Sequence, residues 1–289
     1  MPRHHSQIAL FRPRTLTRLL LLFPLLVPLY AAEQQSTAPT IGQEGKDVPW
    51  VPTPDILVDK MLEMAAVSTG DVVIDLGSGD GRTVIAAARL GARAVGVELE
   101  ENLVAVSKRR ADEEDLSDRT EFHAMDLFEF DLSPATVVTM FLLPDLNYRL
   151  RPSLLKLSPG TRIVSNTWDL GGVEGDPDAP GWLPDETVVL DPCPTWCTSL
   201  LWIVPARVEG TWQLGEAKME LEQQFQAVTG RLHLSNGRIA IEQGVLRGAK
   251  LTFRADGTQY SGNVEGPTIR GTARTAEGNS VSWEATRLR

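Results

Sequence analysis

Two rhythms of apolar residues divide this chain. Up to about residue 206, short aliphatic runs alternate with segments whose apolar positions fall three and four apart; beyond residue 210 the wider spacing disappears and apolar and polar residues simply alternate between turns. In the first region VVID (72–75), AVGVE (94–98), TEFHA (120–124), ATVVTMFLL (135–143), TRIVSNTW (161–168), ETVVL (186–190) and TSLLWIVP (198–205) predict strands. Between them, ILVDKMLEMAAV (56–67), TVIAAARL (83–90), NLVAVSKRRADE (102–113) and PDLNYRLRPSLLKL (144–157) predict helices. Strands alternating with helices predict an α/β fold with a doubly wound sheet. The second region, with strings such as ELEQQFQAVTG (220–230), VLRGAKLTFRADG (245–257) and SVSWEATRL (280–288), predicts an antiparallel β meander or small barrel with Trp212 and Trp283 near its two ends.

The first strand runs into the densest chemistry of the sequence. VVIDLGSGDGR (72–82) places Asp75 at the strand end, with Gly77, Ser78, Gly79 and Gly81 in the turn to the next helix. Glycine lets a ligand reach the bare backbone. A dinucleotide fingerprint is G-x-G-x-x-G and makes room for a pyrophosphate; here the third glycine comes one residue early and a carboxylate precedes the first. That pattern suits S-adenosylmethionine (AdoMet), which brings a sulfonium and an ammonium and no phosphate. Glu98 closes the second strand, where a carboxylate can accept both ribose hydroxyls, and Asp126 follows the third, within reach of an adenine edge. Scattered acids around a lone glycine turn are ordinary loop chemistry; the strand, the helix and Glu98 within one βαβ unit turn the reading towards AdoMet.

Composition narrows the field further. A 42 % hydrophobic, 23 % charged chain of 289 residues is ordinary globular material, enough for two modest domains. Residues 1–32 stand apart: Arg3, Arg12, Arg14 and Arg18 come without an acid, then LLLLFPLLVPLY and Ala31-Ala32. This predicts a signal peptide or an uncleaved membrane anchor, with a mitochondrial presequence as the rival if the source is a eukaryote. Residues 33–47 read as a linker, 48–206 as the AdoMet-binding domain and 207–289 as the β domain. Loss of the four leader arginines would take the net charge from −10 to −14, which repels nucleic acid and suits a basic partner. Cys193 and Cys197 can pair in an oxidising compartment or stay as thiols, and no metal-ligand spacing is present.

Three strings, PWVPTP (49–54), VVIDLGSGDGRTVI (72–85) and VVTMFLLPDLNYRLRPSLLKLSPGTRIVSNTW (137–168), resemble the seven-strand Rossmann-like AdoMet methyltransferases, specifically the lysine methyltransferases of the ATP synthase c-ring protein and their prokaryotic relatives. The resemblance implies AdoMet as cofactor, held by Asp75, Gly77, Gly79 and Gly81 at its methionine half, Glu98 at the ribose, and Asp126 with Leu127 at the adenine. It also implies that Thr53 both caps the following helix and donates to the AdoMet carboxylate. Met140 to Pro144, at the end of the fourth strand, would line the methyl-donor mouth, with Met140, Leu142 and Pro144 as acceptor-channel candidates, although core packing accounts for some of them.

No (D/N)-P-P-(Y/F) tetrad ends the fourth strand, so the usual polar clamp for a planar nitrogen is missing. A lysine amine needs only orientation and desolvation in line with the sulfonium, for SN2 transfer in which positioning dominates. Trp50 and Trp168 are candidates for an aromatic channel wall, and Asn166 stands where the family often carries another polar residue. The implied partner is a protein bearing lysine, not a nucleic acid. A non-catalytic nucleoside-binding envelope protein and a methyltransferase for a small molecule are the alternatives. Export, to the periplasm in a bacterium, conflicts with the cytosolic supply of AdoMet.

Overall fold

The computed structural model describes residues 41–42, 50–171, 181–193 and 195–288. The leader expected at 1–32 and most of the linker expected at 33–47 lie outside the described residues. Seven strands form one sheet: β1 (Val72–Leu76), β2 (Arg93–Glu98), β3 (Thr120–Ala124), β4 (Val137–Met140), β5 (Arg162–Asn166), β6 (Glu186–Val189) and β7 (Thr198–Ile203). Their order is β3-β2-β1-β4-β5-β7-β6. β3, β2, β1, β4 and β5 run parallel, and β7 inserts antiparallel between β5 and β6. The chain reverses its winding at β1, so the crevice beyond the carboxyl ends of β1 and β4 is where a ligand of an open α/β sheet sits.

Helices α1 (Asp55–Met64), α2 (Arg82–Arg89), α3 (Glu101–Glu113) and α4 (Pro144–Leu154) accompany the sheet. α1 buries Leu57, Val58, Met61 and Leu62 in a core with Val73, Ala87 and Leu201; Ile74, Val138, Leu150 and Trp202 fill the other face. Asp71 clips three segments together at the foot of β1. It accepts from Ser68, from Thr136 Oγ1 at 2.7 Å and from Arg162. Burial alone would raise its pKa, but these donors hold it below the usual value.

The α/β expectation holds, with two strands shorter than the sequence suggested. The expected strand 135–143 is hydrogen-bonded only over Val137–Met140, which releases Phe141 from the sheet. The expected strand 161–168 stops at Asn166, because Thr167 turns to φ 62°.

Eight further strands close a barrel: β8 (Gly210–Leu214), β9 (Ala217–Gln224), β10 (Ala227–Leu234), β11 (Gly237–Arg247), β12 (Lys250–Ala255), β13 (Thr258–Glu265), β14 (Thr268–Arg274) and β15 (Ser280–Arg287). Each strand pairs with the next, and β15 returns to β8 with Arg287 opposite Trp212, so the two tryptophan-bearing strands lie side by side. Alternation puts Met219 and Leu221, or Leu251 and Phe253, inside, and the interior is filled with side chains.

ELEQQFQAVTG, for which the sequence marked no turn, is a hairpin: Phe225 and Gln226 form the turn between β9 and β10, with Phe225 at φ 54°. VLRGAKLTFRADG likewise turns at Gly248. Both turns face the first domain. Phe225 stacks on Trp182 at 5.9 Å and lies under Arg151, Gln226 Nε2 donates to the Leu183 carbonyl, and the Gly248 carbonyl accepts from Ala206 N–H.

Candidate active site

A cleft of about 410 Å³ opens at the carboxyl ends of β1 and β4, lined by Trp50, Val51, Pro52, Thr53, Met61, Asp75, Gly77, Ser78, Gly79, Asp80, Arg82, Thr83, Met140 and Phe141. Its floor is the glycine turn. Gly79 has φ 54°, and a Cβ there would come within 2.6 Å of Trp50 Nε1, so only glycine lets the indole lie on the loop. Gly81, at φ 78°, opens α2, and a Cβ there would meet Ser107 at 2.7 Å. Ser107 in turn holds Oγ 3.0 Å from the Gly79 carbonyl. The turn is thus pressed from one side by Trp50 and from the other by α3.

Two carboxylates five residues apart have opposite electrostatics. Burial of Asp75, with the nearby charges of Glu98 and Asp80, pushes its pKa up to about 7 even though Thr139 Oγ1 donates to it at 2.7 Å. Asp80 is also raised by burial, but the Arg82 hydrogen bond and the charges of Arg82 and Arg110 bring it below the usual value. Asp80 is therefore a brace for the loop. Asp75 faces the cleft without a cation of its own, and a bound ammonium or sulfonium would restore its ionised form.

Glu98 does not line the cleft directly; it reaches the loop from behind. Its Oε2 accepts from Gly79 N–H at 2.9 Å and its Oε1 from Glu100 N–H at 3.0 Å. A carboxylate has about four lone-pair sites, so two stay open for a diol. Asp126 Oδ1 accepts from Phe128 N–H at 2.8 Å. Asp126 and Leu127 lie outside the first cleft, and Leu127 borders a second hollow of about 630 Å³ with Phe128, Phe130 and Leu150.

Thr53 is not the cap of α1: Pro54 occupies the cap position and no side chain caps the helix. Its hydroxyl accepts from Asn166 Nδ2 at 3.2 Å instead, while Asn166 Oδ1 accepts from Thr167 Oγ1 at 2.8 Å. That chain leaves the Thr53 proton to be donated into the cleft. Asn166 is fully buried behind Thr53 and is not on the cleft wall. Of the other channel candidates, Met140 and Trp50 line the cleft, Leu142 packs against Gly77, and Pro144 is exposed at the start of α4. Trp168 joins the mouth through Trp196: their rings are 5.8 Å apart, and Trp196 is 6.2 Å from Phe141.

Trp196 was not singled out by sequence reasoning, and Phe141 only as a member of the run Met140 to Pro144. The continuous apolar run 135–143 disguised the point where Phe141 leaves the sheet. Trp196 sits in the loop between Cys193 and Cys197, which are paired as a disulfide in this structure.

A family model described as the ANTKMT methyltransferase domain matches residues 75–177. The protein-lysine N-methyltransferase of Saccharolobus islandicus is 41 % identical over 147 residues, half of this chain and 86 % of its own length. The chain belongs to this methyltransferase family. The lysine N-methyltransferase of Rattus norvegicus that acts on the ATP synthase c-ring protein is 32 % identical, over 56 % of this chain and 70 % of that protein. A crystal structure of an RNA methyltransferase from Salinibacter ruber with S-adenosyl-L-homocysteine is 48 % identical, covers 55 % of this chain and 96 % of that one, and superposes with a TM-score of 0.49. The methyltransferase uses AdoMet, and its own residues fit that molecule. The Trp50-filled cradle at Gly79, the uncommitted proton of Thr53 and the buried Ser78 Oγ, which has no partner among the described residues, are all compatible with it. Among the described residues no cluster of ligands for a metal ion is present.

Proposed function

We propose that this methyltransferase methylates the ε-amine of lysine in a protein. The observation that carries the reading is the end of β4: Met140 and Phe141 line the mouth, followed by Leu142, Leu143 and Pro144, with no carboxamide or carboxylate to clamp a planar nitrogen. Bound AdoMet supplies a methyl carbon on a positively charged sulfur, open to SN2 displacement by a nucleophilic nitrogen. Thr53, the glycine turn and Glu98 hold and orient it. Met140 and Phe141 exclude water from the attacking amine, and the apolar surround past the mouth lowers the pKa of a lysine so that it attacks as the neutral amine. No side chain need serve as a strong base under these conditions; positioning carries the rate. The names of the two lysine-methylating relatives support the same acceptor.

The strongly acidic charge favours a basic protein as partner. The arginine-rich, apolar leader supports export or anchoring at a membrane, with AdoMet then supplied across it.

Incubation with AdoMet and a mixture of basic proteins, read by peptide mass spectrometry, tests the reaction. Methyl groups on lysine, absent with Glu98→Ala, are expected. Methyl transfer into small molecules alone would contradict the acceptor assignment.

A further inference from the structure

The mouth of the cleft continues into aromatic surface that the methyl-transfer geometry does not itself require. Phe141 belongs to the cleft wall, Trp196 lies 6.2 Å from it with ring planes at 53°, and Trp168 lies 5.8 Å from Trp196 at 45°. Phe141 and Trp168 each lie tilted against Trp196, so the three rings form one aromatic corner at the mouth. The stacked cations of this part of the molecule, Arg149 on Phe128 and Arg151 on Tyr148, lie on other rings.

Two of the rings are carried by, or directly follow, backbone in a conformation that side chains rarely adopt. Thr167, just before Trp168, has φ 62°, and Trp196 itself has φ 55°. Such strain persists only where surrounding contacts over-determine it. At Trp168 they do: its carbonyl accepts from Ser165 Oγ at 2.6 Å and from Asn147 Nδ2 at 3.0 Å, and Thr167 N–H donates to the Thr198 carbonyl at 2.7 Å. Among the described residues Trp196 has no such network. It is 41 % exposed and stands one residue before Cys197, inside the loop that the Cys193–Cys197 bond closes.

We propose that Phe141, Trp168 and Trp196 receive the ammonium of the acceptor and of its methylated product, and that the Cys193–Cys197 bond holds Trp196 in place for this. The inference deepens the lysine reading above and rests on it. Aromatic faces attract ammonium ions through the ring quadrupole, and methylated ammonium ions, being poorly hydrated, are the usual ligands of such corners. The class of ligand is therefore a lysine carrying zero to three methyl groups, with Trp196 as the recognition residue and the two cysteines as positioning residues.

The test uses the full chain with S-adenosylhomocysteine and two probes: N-acetyl-trimethyllysine amide, and its uncharged isostere in which carbon replaces the quaternary nitrogen. Binding is followed by NMR of the tryptophan indoles. The charged probe is expected to bind at least about fivefold more tightly than the isostere. Trp196→Ala should lose about fivefold of that affinity, while Trp196→Phe retains most of it and shows that a folded ring suffices. Treatment with a phosphine converts the disulfide to two thiols as water oxygen passes to phosphorus, and it should weaken wild-type binding while leaving a Cys193→Ser/Cys197→Ser variant unaffected. Equal affinity for the two probes, no binding of the charged probe, or an unchanged Trp196→Ala would overturn the proposal. Methylation of a lysine peptide by the same protein preparations, with AdoMet in place of S-adenosylhomocysteine, separates the two claims. Ammonium binding without methylation by wild type ends the lysine reading alone; methylation with an unchanged KM in Trp196→Ala ends this one alone.

Discussion

The sheet domain and the barrel use glycine for opposite purposes. At Gly79 the missing Cβ leaves room for Trp50, a side chain laid across the floor of a cleft, whereas at Gly230 in β10 it leaves room for the Glu220 carbonyl of the neighbouring strand, which a Cβ would meet at 2.0 Å. One glycine shapes a site; the other allows two backbones to close a barrel. The same contrast holds for polar groups. Buried carboxylates, an orphan hydroxyl and a hydroxyl–amide chain gather at the end of β1 and β4, while the barrel interior is aliphatic and aromatic. Chemistry is concentrated where parallel strands end, and the barrel contributes packing.

The largest expected effects come from exchanging the two glycines. Gly79→Val should lower AdoMet affinity by more than about 100-fold with a small change in melting temperature, since loss of the cradle removes several loop contacts at once. Gly230→Val should do the reverse, costing about 3 kcal/mol or more of stability through a backbone clash while the folded fraction still binds AdoMet. Calorimetry with thermal melts on both variants decides; equal effects on binding would erase the contrast.

Next in size is the seam between the domains. Phe225→Ala removes the stack on Trp182 and should cost about 2 kcal/mol in denaturant titration. An unchanged midpoint would mean that the barrel does not lean on the sheet domain.

A smaller effect is written into Asp75. Its folded pKa near 7 lies above the unfolded value, so its contribution to stability is full at acid pH and is lost as pH rises through about 7. A cationic ligand reverses the sign by favouring the carboxylate. AdoMet affinity should therefore fall about eightfold between pH 7.5 and 6, and Asp75→Asn should flatten that dependence while raising the melting temperature above pH 7. A pH-independent affinity in the wild type would place the ligand's charge elsewhere. Smallest is Asn166→Ala, which frees Thr53 and should weaken AdoMet by about fivefold, the worth of one hydrogen bond; no change would leave Asn166 with packing alone.

The sheet was legible in the sequence because its central strands are buried on both faces and therefore read as unbroken aliphatic runs, and the position of Glu98 was legible because it closes one of those runs. The hairpin at Phe225 was not. No glycine, proline or asparagine marks the turn at Phe225 and Gln226, and nothing marks an aromatic residue for positive φ. The pairing of Asn166 with Thr53 spans 113 residues and has no local signature. Trp196 was hidden for a similar reason: the short Cys193–Cys197 spacing suggested a loop, but only the fold carries that loop to the mouth of the cleft.

The most direct measurement is a calorimetric titration of AdoMet into the chain, wild type beside Glu98→Ala. Saturable micromolar binding, weakened about 100-fold when the Glu98 carboxylate and its bond to the loop are removed, is the expected result. No binding by the wild type at millimolar AdoMet, or equal affinity in both proteins, would contradict the placement of the cofactor in this cleft.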